Sequence, residues 1–242
     1  MARTVKPEAV AAKRREILDA AQRLMFTKGY EQMSIQDILD VVQISSGAFH
    51  HYFTSRGALL EAFIERIKQE TEKSLLPIIH DPSLSAIEKF QGFFDTLDRL
   101  RIAHKADVIK LGRVWYSDDN ALVRLKVDEA VLQQRAPLLT EIVRQGVGEG
   151  LFTTVYPDKA GEVILYLLQG MGNTHARLLL SLEQKRDDDQ CLIEEIVATH
   201  AAYLDAIERV LGAPPHSFSR TDAEAVHIWV AALRENEVEM KS

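Results

Sequence analysis

Along almost the whole chain apolar residues recur at helical spacing, and no stretch alternates apolar and polar residues as a half-buried strand requires. That pattern restricts the fold to an all-α architecture, with about ten helices separated by Gly, Pro and Ser/Asp punctuation. The first helix is expected from about Glu8 to Lys28, with Ile17, Ala21, Leu24 and Met25 on one face and Gly29 as a left-handed stop. Ser34 with Asp37 three residues later opens a short second helix, and Ser45 caps a third that ends near Tyr52. Ser55 starts a longer fourth helix whose end Pro77 and Pro82 bracket. Ser85 with Glu88 repeats the capping signature before Phe90, Phe93 and Phe94.

Later helices are expected near 105–116, 121–147, 158–182 and 190–211. Ser117–Asn120 acts as a break, and Pro137 as a kink inside the long helix. Thr221 with Glu224 caps a last helix that carries Val226, Trp229, Val230 and Leu233. A chain of 242 residues with 46% hydrophobic and 27% charged residues can bury a core unaided, which excludes disordered and low-complexity readings. The lone Cys191 excludes an internal disulfide and a multi-thiolate metal site, and reads as a filler on a helix-packing surface. The opening residues lack the apolar core of a secretory signal, and the longest apolar-rich stretch, 163–176, is too short and polar to span a bilayer. A soluble cytoplasmic protein is therefore expected.

The net charge of −7 conceals an asymmetry. Residues 1–60 carry +2 and the remainder −9, so a mildly basic head sits on an acidic body. Charges beyond about 8 Å are largely screened at physiological salt, so such a head can still meet phosphates. Within it, two short helices joined by about three residues outline a helix-turn-helix unit. The segment Ser45–Phe53 is too polar and aromatic for an ordinary core helix. Phe49 and Phe53, four apart, anchor its inner face, which leaves Ser46, Gly47, Ala48, His50, His51 and Tyr52 outside or beside the anchor. Small residues at a helix start admit close approach of a duplex, while His and Tyr supply donors for phosphates and base edges. His50 and His51 are adjacent on a helix and do not face one metal ion. Lys13, Arg14 and Arg15 suit either a solvated helix start or a phosphate contact.

Residues 14–64 closely resemble the DNA-binding domain of the tetracycline-repressor (TetR) family of bacterial transcriptional regulators. The resemblance rests on residues 17–26, Gly29-Tyr30, residues 34–38, residues 44–53 and Ser55-Arg-Gly-Ala-Leu-Leu60. A second similar segment is Val143–Phe152, like the loop that closes the long regulatory helix in many members. The resemblance implies a helix-turn-helix DNA-binding domain over 8–60 and a larger helical ligand-binding and dimerisation domain over 61–242. It implies that Ser34 and Gln36 meet phosphate and occasionally a base. Ser45, Ser46, Gly47, Ala48, His50, His51 and Tyr52 would lie on or beside the recognition helix, and Arg56 would hold a backbone phosphate. Ser46 and Arg56 stand where Lys is common, His50 where Tyr is usual and Gly57 where Glu is common, so no operator sequence carries over.

For the body, the resemblance implies a small-effector cavity between helices. Candidates to line it are Phe90, Phe94, Trp115, Tyr116, Tyr166, Asn173, His175 and Arg177, with Phe93 and Met171 beside them. Each aromatic fits a bundle core as well as a pocket. Asn173, His175 and Arg177 are the more suggestive, since they interrupt an apolar helix with polar groups that need partners. The expected partners are an operator duplex, a second copy of the chain and an unidentified effector, with no membrane, no metal and no cofactor. The expected setting is the bacterial cytoplasm, at the nucleoid when bound to DNA. The chain lacks a nucleophile–base pattern, a phosphate-cradling glycine loop and metal-ligand spacing, which disfavours an enzyme. A ligand-binding helical protein that has lost operator recognition is the other alternative.

Overall fold

A computed structural model describes residues 7–103, 105–181 and 189–239. The described residues form helices α1 (Pro7–Lys28), α2 (Ile35–Val42), α3 (Ser46–Tyr52), α4 (Arg56–Ile79), α5 (Ala86–Ala103), α6 (Lys105–Trp115), α7 (Ala121–Gly148), α8 (Pro157–Ser181), α9 (Asp189–Leu211) and α10 (Ala223–Glu239). One 3-10 turn, Asp118–Asn120, precedes α7, and no strand occurs among the described residues.

Local chemistry places most boundaries where the sequence puts them. Gly29 takes a φ of 87° after α1. Ser34 and Asp37 form a reciprocal capping box at α2, and the Ser45 hydroxyl accepts from the Ala48 N–H at α3. Ser85 and Glu88 bond in both directions at the start of α5. Two boundaries differ. Pro77 lies inside α4, which continues to Ile79, because a proline in the last turn removes few helix bonds. The α10 cap is Asp222, whose carboxylate accepts from the Ala225 N–H at 2.9 Å, whereas the Thr221 N–H donates to His200 Nδ1 at 3.3 Å. The stronger acceptor takes the capping position. Helix α7 runs through Pro137 as a single helix of 28 residues.

The chain divides into two compact units. One comprises residues up to Glu70 together with Arg113–Val127, and the other comprises Thr71–Gly112 with Asp128–Ser242. The N-terminal unit thus includes a second, later segment of chain, which a contiguous division near residue 60 does not contain. It buries Ile17, Met25, Met33, Ile38, Phe49, Leu59, Leu60 and Phe63 almost completely.

The C-terminal unit has one large core built from α4, α5, α7, α8 and α9, including Leu75, Phe90, Phe93, Leu139, Ile164 and Ile207. A smaller core joins Ile193 and Ile196 of α9 to Val226, Val230 and Leu233 of α10, with Trp229 packed against it. Gly161 lets α8 cross α7 at backbone distance, since a Cβ there would stand 2.5 Å from the Thr140 nitrogen and 2.6 Å from the Ala136 oxygen. Cys191 is exposed instead of filling a packing surface.

Candidate DNA-reading and effector sites

The two short helices of the N-terminal unit are joined by a turn in which Gln43 takes the left-handed conformation, with φ 55° and ψ 51°. Its side chain donates to the Asp40 carbonyl at 2.6 Å, and the Ile44 N–H donates to the Leu39 carbonyl at 3.2 Å. This closes α2 and turns the chain into α3. On α3, Phe49 is fully buried, and Phe53 just after it is 3% exposed. The guanidinium of Arg14 lies 4.6 Å from the Phe53 ring centroid, so this arginine is not simply a solvated helix start.

With those two rings inward, Ser45, Ser46, Gly47, His50 and His51 are exposed, while Ala48 and Tyr52 are half-buried. A Cβ at Gly47 would meet nothing within 4 Å, so this side of α3 is open. Ser34 and Gln36 are also exposed, although both are engaged. The Ser34 hydroxyl donates to Asp37 at 2.7 Å, and the Gln36 amide donates to Asp40 at 2.7 Å. Asp37 also meets Lys28, and these hydrogen bonds, led by that from Lys28, hold its carboxyl far below the usual range.

Arg56 does more than the sequence suggests. Its Nη1 donates to the carbonyls of Tyr30, Glu31 and Met33 at 3.2, 3.3 and 3.0 Å. The guanidinium also lies 4.4 Å from the Tyr30 ring centroid, and Nη2 is 3.6 Å from the Glu31 carboxylate. Arg56 therefore fastens the α1–α2 loop to the start of α4, which fixes the surroundings of α2.

The same loop is held from its other side by Asn120, a residue that reads in the sequence only as part of a helix break. Asn120 is 1% exposed. Its Oδ1 accepts from the Tyr30 N–H at 2.7 Å, and its Nδ2 donates to the carbonyls of Val114 and Met25 at 2.9 and 3.5 Å. The Glu31 N–H donates to the Asp119 carbonyl at 3.1 Å.

The body candidates separate. Phe90 is fully buried and Phe94 half-buried in one aromatic cluster with Phe93, Phe152 and Phe218, at centroid spacings of 5.6–6.1 Å. These rings fill the core. Trp115 and Tyr116 belong to the N-terminal unit, where Arg124 donates to the Trp115 carbonyl at 2.7 Å and lies 5.5 Å from the Tyr116 ring centroid. Tyr166 and Arg177 are exposed on α8, the latter donating to the Asn173 carbonyl at 3.3 Å, while Asn173 and Met171 are half-buried.

His175 is turned inward. Its ring stacks on that of His200 at 6.0 Å with 14° between planes, and its Nε2 is buried without a hydrogen-bond partner. Burial pushes both histidines down to about 4 from the ordinary 6.5, helped by mutual repulsion and Arg101 for His175, and by Arg220 for His200. Both are neutral at pH 7. Between pH 6.5 and 4 the unfolded chain takes up protons that the folded unit refuses, so stability falls as pH falls through that window. The limiting slope is about 1.4 kcal/mol per pH unit for each histidine. Urea unfolding between pH 7 and 5 is expected to show this loss, and a His175→Gln variant a shallower one. A flat stability profile over that range would refute it.

The arrangement defines a helix-turn-helix protein in which a rigidly backed short helix offers a polar face to solvent. Residues 17–63 match the family described as "Bacterial regulatory proteins, tetR family". The chain is 23% identical over 146 residues to the HTH-type transcriptional repressor KstR2 of Mycobacterium tuberculosis, across 59% of this chain and 70% of that protein. Among solved structures it resembles a SmeT–triclosan complex, with a TM-score of 0.60, 16% identity and coverage of 88% of this chain and 97% of the other. It also resembles RolR in complex with resorcinol, with a TM-score of 0.52, 18% identity and coverage of 93% and 96%. Residues 17–63 are therefore similar to the DNA-binding part of TetR-type transcriptional regulators, and the likeness to the solved structures extends along most of the chain as a shared fold. No helix among the described residues is long and apolar enough to cross a membrane.

Proposed function

We propose that the protein is a homodimeric repressor that reads an inverted-repeat operator through α3 and is released by a small effector bound in its C-terminal unit. The observation that carries this reading is the exposed face of Ser46, Gly47, His50 and His51 on a helix anchored by Phe49 and Phe53. Ser34, Gln36, Ser45, Ala48 and Tyr52 flank that face and complete the proposed DNA contacts. Arg56 adds a phosphate contact from the part of its guanidinium not turned to the loop carbonyls. Functionally, 8–60 is the reading domain and 61–242 the regulatory one, acting in the cytoplasm and on the nucleoid.

A single α3 reads too few base pairs for useful discrimination, and two of them about one helical turn apart multiply it. Val163 and Tyr166, exposed apolar residues on α8, suit a helical interface with a second copy. Effector binding would favour a spacing of the two α3 helices that no longer matches successive major grooves, at a coupling of about 1–3 kcal/mol. The repressors and ligand complexes named among its relatives support this reading.

Selection of bound duplexes from a random pool tests it. A palindrome is expected, and no enrichment by a correctly folded protein would refute operator recognition. His50→Ala is expected to relax selectivity at one or two positions of each half-site, by about 1–3 kcal/mol per affected pair, without changing the oligomeric state. Unchanged selectivity would remove His50 from the reading residues.

A further inference from the structure

Phe53, the first residue after α3, is 3% exposed, and the guanidinium of Arg14 from α1 lies over its ring, 4.6 Å from the centroid. Arg14 itself is exposed. The residues one helical turn from it are Val10, Ala11, Ile17 and Leu18, so α1 offers it no carboxylate there. Among the described residues its guanidinium takes part in no hydrogen bond and no ion pair.

Other cations around the short helices are already committed. Lys13 pairs with Glu16 at 2.9 Å, and Lys28 with Asp37. Arg56 spends Nη1 on three loop carbonyls and brings Nη2 within 3.6 Å of the Glu31 carboxylate. Arg14 differs in kind, because its contact is with an uncharged ring. A guanidinium carries five N–H donors in one plane, and attraction to a ring holds the charge in place without supplying an acceptor for them. The cation is thus fixed while its donors stay available to an anion.

Its position identifies the anion. Helix α3 spans seven residues, about 10 Å at about 1.5 Å per residue, and a major groove is about 12 Å wide. A helix that short, seated in the groove, ends beside the groove's wall. A cation at its end meets the sugar–phosphate backbone and not a base edge, and a phosphate accepts two parallel N–H bonds from such a fork.

We infer that Arg14 is a DNA-phosphate contact, held over Phe53 at the end of α3 so that it grips the backbone beside the reading helix. This rests on the reading that α3 enters an operator, and it adds a residue that fixes how α3 is seated.

Titration of the full chain with its selected operator and with a scrambled duplex, between about 50 and about 300 mM KCl, tests it. Arg14→Met keeps a straight hydrocarbon chain over Phe53 and removes the charge. It is expected to bind both duplexes at least about tenfold more weakly, with the ratio between them unchanged. The slope of log K against log salt should fall by about one for each protomer bound. Arg14→Lys should restore the slope but only part of the affinity, because an ammonium lacks the planar fork. Melting curves of the free proteins check folding, and Arg14→Gln, equally uncharged, should give the same slope as Arg14→Met. Arg23→Met is the matched control. It removes the same charge from an exposed position on the opposite face of α1 and should bind as the parent does.

Weaker binding by Arg14→Met with an unchanged slope would overturn the inference, since Arg14 would then only support Phe53. An equal loss in Arg23→Met would overturn it as a general effect of net charge. A parent that binds no duplex at the lowest salt would sink the operator reading and this inference together, whereas a parent that binds with the same slope as Arg14→Met would sink this inference alone.

Discussion

Glu208→Ala is expected to destabilise the C-terminal unit by about 3–5 kcal/mol, the usual cost of leaving a buried ionic partner uncompensated. Glu208 is 2% exposed on α9. Its Oε1 accepts from the Phe218 N–H at 3.2 Å and from Arg220 Nη1 at 3.0 Å. Its Oε2 accepts from the His216 N–H at 3.1 Å and from Arg220 Nη2 at 2.8 Å. One carboxylate thus fastens the whole loop between α9 and α10, and that loop delivers Phe218 into the aromatic cluster with Phe90 and Phe94.

Burial pushes the Glu208 carboxyl up, but Arg220 and the two N–H groups prevail and hold it below the usual range. Its contribution is therefore complete above about pH 5 and is lost as pH falls through the lowered value. Chemical unfolding followed by Trp229, in a Trp115→Phe background, isolates this unit. Glu208→Gln should fall between the parent and the alanine variant, because it keeps acceptors for part of the loop but loses the ionic pairing. A loss below about 1 kcal/mol for Glu208→Ala would contradict the bidentate arrangement.

Asn120→Ala is the second large expected effect, about 2–4 kcal/mol, and it falls on the N-terminal unit. The substitution strands the Tyr30 N–H and the Val114 carbonyl in a place where water does not reach, since Tyr30 is itself 5% exposed. Asn120→Asp should fail as well. It keeps an acceptor for Tyr30 but turns a carboxylate oxygen toward the carbonyls that Nδ2 now serves. The readout is unfolding followed by Trp115 in a Trp229→Phe background, with duplex binding measured in parallel. Binding should weaken at temperatures where the unit begins to melt, because the loop that Asn120 and Arg56 hold sets the start of α2. Stability within about 0.5 kcal/mol of the parent would show that this network is dispensable.

These two residues mark where sequence reasoning stops. The caps of α2, α3 and α5, the left-handed Gly29 and the two short helices of the N-terminal unit were legible, because each depends on residues within four positions of one another. The inward turn of Phe49 and Phe53 was legible for the same reason, and with it the exposed face of α3. Asn120 looked like a helix breaker because its partners Tyr30 and Met25 lie about ninety residues earlier. Arg56 looked like a free cation for a phosphate, whereas three loop carbonyls some twenty-five residues away already accept from it. Glu208 and Arg220 are separated by a Gly/Pro loop that gives no sign of closing on itself.

Among the body aromatics the pattern of the chain could not separate a pocket wall from a core, since both need apolar side chains on the inner face of a helix. Only the packing decided it, sending Phe90 and Phe94 into the core and Trp115 and Tyr116 into the other unit. Packing likewise left His175 and Arg135 as buried polar groups with an unmade bond each. Short-range hydrogen bonding and periodicity fixed the helices and the exposed face of α3. Which polar side chains close the fold depended on groups brought together from distant parts of the chain.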